Sequence, residues 1–323
     1  MNIPWIDEKY MYRCLQLARC GQQGAAPNPM VGAVIVYRER IIGEGYHHRC
    51  GEAHAEVNAI ESVAPCDREF LNDSTLYVSL EPCSHFGRTP PCADLIIRTG
   101  IPRVAVGCID SFDKVKGHGI SRLRDAGIQV VVGVLEDECR RMNRHFFTFH
   151  AKQRPYITLK WARSEDGFID AVRTDGSAAK ISTPETLVRV HRLRSEHQAI
   201  LVGHHTLLLD HPTLNVRYWS GRHPHRFVLG NVPSHELPEG FEACPDIPSL
   251  LQRLYEQQIT SLLVEGGSRT LQSFIDAQLW DEAHEECGML TLGSGIAAPV
   301  MPIPPTYVET FGGSRINHWE NQP

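Results

Sequence analysis

Apolar positions along the chain fall into two periods, and together they predict alternating strands and helices. Residues 7–19 put Met11, Cys14, Leu15 and Ala18 on one face of a helix. Residues 30–37, 75–80, 103–107 and 129–134 are apolar and rich in β-branched side chains, the pattern of strands buried on both faces. Helices are predicted between and after them over 52–63, 90–97, 120–126 and 136–147. This alternation predicts a three-layer α/β domain with a mostly parallel centre. A polar run over 149–155, ending in Pro155, marks a boundary that separates residues 1–148 from 155–323. Strands are predicted again at 156–161, 199–203, 226–229 and 261–265. Helices are expected at 183–196, 204–210 and 268–277, the first with Thr183 at the cap and Pro184 in its first turn. The halves share no internal repeat.

The chemistry concentrates in the first half. His54-Ala55-Glu56 opens one predicted helix, Cys83 follows the 75–80 strand, and Cys92 opens the next helix after Pro90-Pro91. One imidazole and two thiols can hold zinc and leave a fourth position for water, whose pKa zinc lowers to about 7. Glu56 is then a spare carboxylate that can carry protons. This is the donor set of the zinc nucleobase deaminases, although Cys92 stands further from Cys83 than their usual spacing. A closed structural site would need a fourth protein ligand, for which His85 and Cys50 are the candidates. In the second half, a strand leading into Gly266-Gly267 and a helix is a turn suited to phosphate. It is not the dinucleotide fingerprint of a Rossmann fold.

Composition narrows the field. The chain has 323 residues, enough for two domains, and carries a net charge of −6 with no basic block. That argues against a nucleic-acid partner, which requires a phosphate-neutralising surface. No apolar run is long enough to span a membrane, and no signal peptide is expected. Ten cysteines without regular spacing suit a reducing cytoplasm, with most of them free.

Longer motifs carry a resemblance. Pro27-Asn28-Pro29-Met30-Val31-Gly32-Ala33, Gly45-Tyr46-His47, His54-Ala55-Glu56-Val57 and Glu81-Pro82-Cys83-Ser84-His85 through Pro91-Cys92 resemble the RibD family. Its members are bifunctional riboflavin-biosynthesis enzymes in which a pyrimidine deaminase is fused to a reductase. Leu159-Lys160, Asp166-Gly167, Ile181-Ser182-Thr183-Pro184, Leu193-Arg194, Val216-Arg217 and Val264-Glu265-Gly266-Gly267 extend the resemblance through the second half.

The resemblance implies a cytidine-deaminase-like domain followed by a dihydrofolate-reductase-like domain that uses NADPH. It implies a phosphorylated substrate, 2,5-diamino-6-ribosylamino-4(3H)-pyrimidinone 5′-phosphate. This would be deaminated with zinc held by His54, Cys83 and Cys92 and Glu56 as the catalytic residue. Its ribosyl group would then be reduced to ribityl. Substrate contacts fall on Asn28, His47, Arg194, Leu214, Arg217 and Glu265. Cofactor contacts fall on Lys180, Thr206, Asp210, Gly266 and Gly267. A homodimer is expected by analogy.

The second half departs from the family at Ala178, Lys180 and His211. A family strand is expected to be missing from residues 230–249. Residues 282–288 are polar where the family has a hydrophobic strand. Two alternatives stand beside this reading: a deaminase with a degenerate reductase half, and a non-enzymatic protein stabilised by zinc.

Overall fold

A computed structural model describes residues 5–84, 90–110, 117–173 and 177–321. The chain divides into two compact units, Met1–Gln153 and Arg154–Pro323. Among the described residues no helix is long and apolar enough to cross a membrane. All ten cysteines are free.

The first unit begins with α1 (Glu8–Cys20), whose N-cap Asp7 accepts a hydrogen bond from the Lys9 amide. A hairpin of β1 (Gly32–Tyr37) and β2 (Arg40–Tyr46) follows. Then come α2 (Ala55–Glu61), a 3-10 stretch (Pro65–Asp73), β3 (Thr75–Leu80) and α3 (Cys92–Thr99). The unit closes with β4 (Arg103–Cys108), α4 (His118–Asp125), β5 (Gln129–Val132), α5 (Glu136–Met142) and α6 (Arg144–Lys152). Its five strands lie in the order β2-β1-β3-β4-β5. Every residue of β3 is buried, as its unbroken apolar pattern requires. The sheet is less parallel than expected: β1 runs antiparallel to both neighbours, and only β3, β4 and β5 are parallel. Apolar clusters fill both of its faces.

Two predictions at the end of this unit need correction. The helix expected over 136–147 breaks at Asn143, and the expected linker is helical as far as Lys152. Asn143 explains the break. Its side chain takes the Met30 amide at 2.8 Å and donates to the Met30 carbonyl at 2.9 Å. A side chain that binds remote backbone in this way fixes its own position at the expense of helix continuity.

The second unit contains β6 (Tyr156–Arg163), β7 (Phe168–Asp170), α7 (Pro184–Glu196), β8 (Ala199–Gly203), α8 (His204–Asp210) and β9 (His225–Leu229). It continues with β10 (Phe241–Cys244), α9 (Ile247–Glu256), β11 (Ser261–Val264) and α10 (Ser268–Asp276). The last strands are β12 (Glu282–Cys287), β13 (Ile296–Ala297), β14 (Tyr307–Phe311) and β15 (Ser314–Glu320). Eight strands form one sheet in the order β10-β9-β8-β11-β6-β12-β15-β14. Thr183 caps α7 with a reciprocal bond to Thr186, and Pro184 follows it.

Two segments that depart from the family can be placed here. Residues 230–249 do hold a strand, β10. Polar residues 282–287 form β12, which pairs with β6 and β15 inside the sheet. Buried partners make this tolerable. Glu285 accepts from Trp161 Nε1 at 3.0 Å, Arg163 Nε at 2.8 Å and Asn317 Nδ2 at 2.6 Å.

Candidate active sites

α2 carries the first site and packs very close to β2. A Cβ on Gly45 would lie 2.3 Å from the Ala59 amide nitrogen, so only glycine lets strand and helix approach this closely. Asn58 then ties the helix to the strand, donating to the Tyr46 carbonyl at 2.7 Å. The helix starts at Ala55, later than the pattern suggests, with His54 as an extended N-cap residue. The Ala53 carbonyl is already engaged by His47 Nδ1 at 3.0 Å.

Cys83 and Cys92 meet His54 from the other side. Cys92 is the first residue of α3, with Pro91 at the cap. The Cys92 amide donates to Cys83 Sγ at 3.2 Å, and the Ala93 amide donates to the Cys83 carbonyl at 3.1 Å. The two sulfurs lie 3.6 Å (Cys83) and 3.3 Å (Cys92) from His54 Nδ1. All three donor atoms lie within 4.8 Å of one another. Tetrahedral zinc, with Zn–S near 2.3 Å and Zn–N near 2.0–2.1 Å, sets nitrogen-to-sulfur separations of roughly 3.6 Å. The soft donor set and its spacing therefore fit zinc. Cys50 is exposed and stands outside the cluster; His85 lies outside the described residues.

The electrostatics of the cluster suit a cation. A hydrogen bond from Cys92, together with those from His54 and the Cys92 amide, pulls the Cys83 thiol down to about 4. Cys92 keeps the proton that the two sulfurs share and is pushed well up. The hydrogen bond to Cys83 raises His54. Glu56 is 3% exposed, and burial pushes its carboxyl up to about 7. It lies beside the donors and belongs to none of the three ligand positions.

Asn28 and His47, which sequence motifs suggest separately, form one unit. A carbonyl can only accept, so His47 Nδ1 carries the proton facing Ala53 and Nε2 accepts from Asn28 Nδ2 at 3.2 Å. Burial lowers the His47 pKa and keeps the ring neutral. The ring also stands edge-on to His54, with centroids 5.5 Å apart.

Sequence reasoning gave no role to Glu81, and the structure supplies one. Its buried carboxylate accepts from the amides of Gly117 and Gly119 at 3.0 Å, Ile120 at 3.3 Å and Asp110 at 3.4 Å. It thereby pins the start of α4 beside Pro82-Cys83. A Cβ on Gly119 would sit 2.0 Å from the Pro82 carbonyl oxygen. A carboxylate directly before the Pro-Cys pair was the available signal.

In the second unit, the candidate residues gather at the carboxyl ends of parallel strands, where open α/β sheets bind ligands. Arg194 and Glu265 form a two-point bridge at 2.9 and 2.7 Å, and Arg194 also donates to the Asn215 carbonyl. Burial opposes both charges, but their mutual attraction prevails: Arg194 is raised and Glu265 lowered. Lys160 lies on the adjacent β6, paired opposite His284 of β12 and one step past the Leu159–Val264 pair that precedes Glu265, and it makes no direct ion pair with either Glu265 or Glu286. Burial lowers its ammonium, and the two carboxylates offset that.

Gly266 and Gly267 fill the gap between strand ends. A Cβ on Gly266 would meet the Gly203 nitrogen at 3.0 Å, and the Gly267 amide donates to Thr206 Oγ1 at 3.1 Å. Close backbone here leads straight into the start of α10, with Gly267 as its N-cap residue. Other candidates stand differently. Asp210 is bridged to Arg173, and Lys180 is exposed. The exposed Arg217 donates to Thr213 Oγ1 at 2.5 Å. The Leu214 side chain is buried in a core cluster, which leaves its backbone, at φ 50°, for any ligand contact.

Comparisons with known proteins agree with this geometry. The family described as "Cytidine and deoxycytidylate deaminase zinc-binding region" matches residues 5–108, and the "RibD C-terminal domain" family matches residues 155–302. The riboflavin biosynthesis protein RibD of Aquifex aeolicus is 39% identical over 90% of this chain and 89% of its own length. The protein of that name from Escherichia coli is 36% identical over 89% of each. A solved structure from Thermotoga maritima superposes with a TM-score of 0.85 at 34% identity, covering 97% of this chain and 98% of its own. That protein is described as a diaminohydroxyphosphoribosylaminopyrimidine deaminase/5-amino-6-(5-phosphoribosylamino)uracil reductase.

Proposed function

This chain belongs to the RibD family of riboflavin-biosynthesis proteins, and from that premise we propose that its two units perform successive steps on one phosphorylated pyrimidine. The first unit hydrolyses the exocyclic amine of 2,5-diamino-6-ribosylamino-4(3H)-pyrimidinone 5′-phosphate, with water entering and ammonia leaving. The second reduces the ribosyl group of the deaminated product to ribityl. The convergence of His54, Cys83 and Cys92 beside a buried, separate Glu56 carries the reading.

His54 Nδ1 and the sulfurs of Cys83 and Cys92 would hold zinc. Bound there, zinc supplies the Lewis acidity that makes water nucleophilic near neutral pH. Glu56 would take a proton from that water on its carboxylate oxygen and pass it to the departing amine nitrogen. Its burial supports this role, since removal from water pushes its carboxyl up to about 7. Asn28 would present its amide to the pyrimidine edge, oriented by the neutral His47 behind it.

In the second unit, Arg194, Arg217 and Glu265 would bind the substrate, with the Leu214 backbone beside them. Thr206, Asp210, Gly266, Gly267 and Lys180 would border NADPH, which supplies hydride. The strand at 282–287 and the strand at 241–244 support an intact sheet under this site. A small phosphorylated molecule as partner, assembly as a homodimer and residence in the cytoplasm complete the proposal.

The test is Glu56→Gln. The variant is expected to keep zinc and lose deamination by about 10²–10⁴-fold. Full ammonia release would refute the assignment. Oxidation of NADPH on the deaminated substrate by the full chain tests the second half. No rate alongside normal deamination would favour the deaminase-only alternative.

A further inference from the structure

β12 places three ionisable side chains on a single face of the sheet. Its pairing with β6 sets Glu282 opposite Thr158, His284 opposite Lys160 and Glu286 opposite Ala162. These positions share the face over which α7 lies, as the bond between His197, just past that helix, and Thr158 attests. Glu285, on the opposite face, is fully matched by Arg163, Trp161 and Asn317. Glu286 is not matched in the same sense. It is 3% exposed, and its hydrogen-bond partners are two neutral hydroxyls, Ser182 Oγ at 2.6 Å and Ser314 Oγ at 3.1 Å. Hydroxyls satisfy a carboxylate's lone pairs without balancing its charge.

The opposing charge is Lys160, which shares this face of the sheet opposite His284, the neighbour of Glu286 on that face. Lys160 and Glu286 make no direct ion pair, and Glu265 and Glu286 favour its ammonium through space in a buried setting. Glu265 is already committed to Arg194 through two bonds. The four groups together are neutral, and without Glu286 they would carry one net positive charge in a poorly solvated place.

Glu286 also reaches the segment ahead of α7. Ser182 immediately precedes the Thr183 cap and stands two residues after Lys180. Gly288, just past β12, approaches the same segment so closely that a Cβ there would lie 2.9 Å from the Ile181 carbonyl oxygen.

We propose that Glu286 is a positioning residue of the reductase centre: its carboxylate is the counter-ion of the Lys160 ammonium and, through Ser182, fastens the segment carrying Lys180 to the strand ends. The inference rests on the reading that the second unit binds NADPH. The groups that face Lys160 are Glu265 after β11, Glu286 and His284 on β12, and Arg194 on α7.

The experiment uses the full chain with Glu286→Gln and Glu286→Ala. Three quantities are measured: NADPH affinity by fluorescence titration, the kcat–pH profile of reduction, and the titration of ¹³C-methylated Lys160, assigned by loss of its signal in Lys160→Arg. Gln retains an acceptor for Ser182 and removes only the charge. It is expected to leave NADPH affinity within about twofold while Lys160 titrates about one pH unit lower. The basic limb of the kcat profile then moves down with it. Ala removes the fastening as well and is expected to weaken NADPH about tenfold. An unchanged Lys160 titration in Glu286→Gln overturns the counter-ion role, whatever Glu286→Ala does to stability. Unchanged NADPH affinity in Glu286→Ala overturns the fastening role. A wild-type chain that binds no NADPH, with Lys160 still shifted in Glu286→Gln, would sink the cofactor reading and leave the counter-ion standing.

Discussion

Glu56 in the first unit and Glu265 in the second are both carboxylates withdrawn from water, yet they meet opposite surroundings. Glu56 has no guanidinium or ammonium beside it, only the two cysteines and a histidine that a metal would claim, and burial pushes it up to about 7. Glu265 suffers the same burial but grips a guanidinium at two points, which holds it below its ordinary value. The difference shows that burial alone does not decide protonation; the partner does. One carboxylate is set to exchange a proton, and the other is a fixed negative charge that orients Arg194 and steadies Lys160.

The contrast can be broken most completely at the metal. His54→Ala or Cys92→Ser removes a donor, and each is expected to abolish zinc binding and reduce ammonia release by about 10³-fold or more. NADPH binding by the second unit, which has its own core, is expected to persist. Elemental analysis and the two binding assays check this.

Breaking the other carboxylate's partnership comes next. Arg194→Ala leaves Glu265 buried without its two-point partner, an expected loss of about 3–5 kcal/mol from the second unit, read by urea unfolding. A loss under about 1 kcal/mol would mean that Glu265 is not held as described.

A smaller effect is expected at Glu81→Ala. Four amides lose their acceptor, the loop bearing Cys83 loosens, and zinc affinity should fall about 10- to 100-fold in chelator competition. Zinc affinity equal to that of the wild type would reduce Glu81 to a helix fastener.

The smallest test concerns acid. The folded-state pKa of Glu265 is depressed, so its bridge contributes fully above the ordinary carboxylate value of 4.5 and is lost as pH falls through the lowered value. Between pH 6 and the acid range, Glu265→Gln should therefore lose less unfolding free energy than the wild type. Parallel curves would contradict this sign.

These features were unequally legible in the sequence. The buried strand at 75–80 and the Thr183-Pro184 helix start announce themselves, because each depends on residues close in the chain. The donors Cys83 and Cys92 stand 29 and 38 residues from His54, and all three announce themselves by residue type and short motif instead. The hairpin partner β2 did not. Its turn uses Arg38 and Glu39 at φ 44° and 65°, without the asparagine or glycine that normally marks such a turn. The break at Asn143 depends on Met30, 113 residues earlier. β12 could not be recognised from its own residues, since the groups that make its glutamates tolerable lie as far away as Trp161 and Ser182. Local pattern reveals what local contacts decide. Long-range satisfaction of buried polar groups is invisible until the chain is folded.

X-ray absorption at the zinc edge of the full chain, in wild type and Glu56→Gln, addresses the separation of ligand from proton carrier. The account predicts one zinc per chain bound by two sulfurs, one imidazole nitrogen and one light non-protein atom, unchanged in Glu56→Gln. A fourth protein donor, or a first shell altered by the Glu56 substitution, would contradict it.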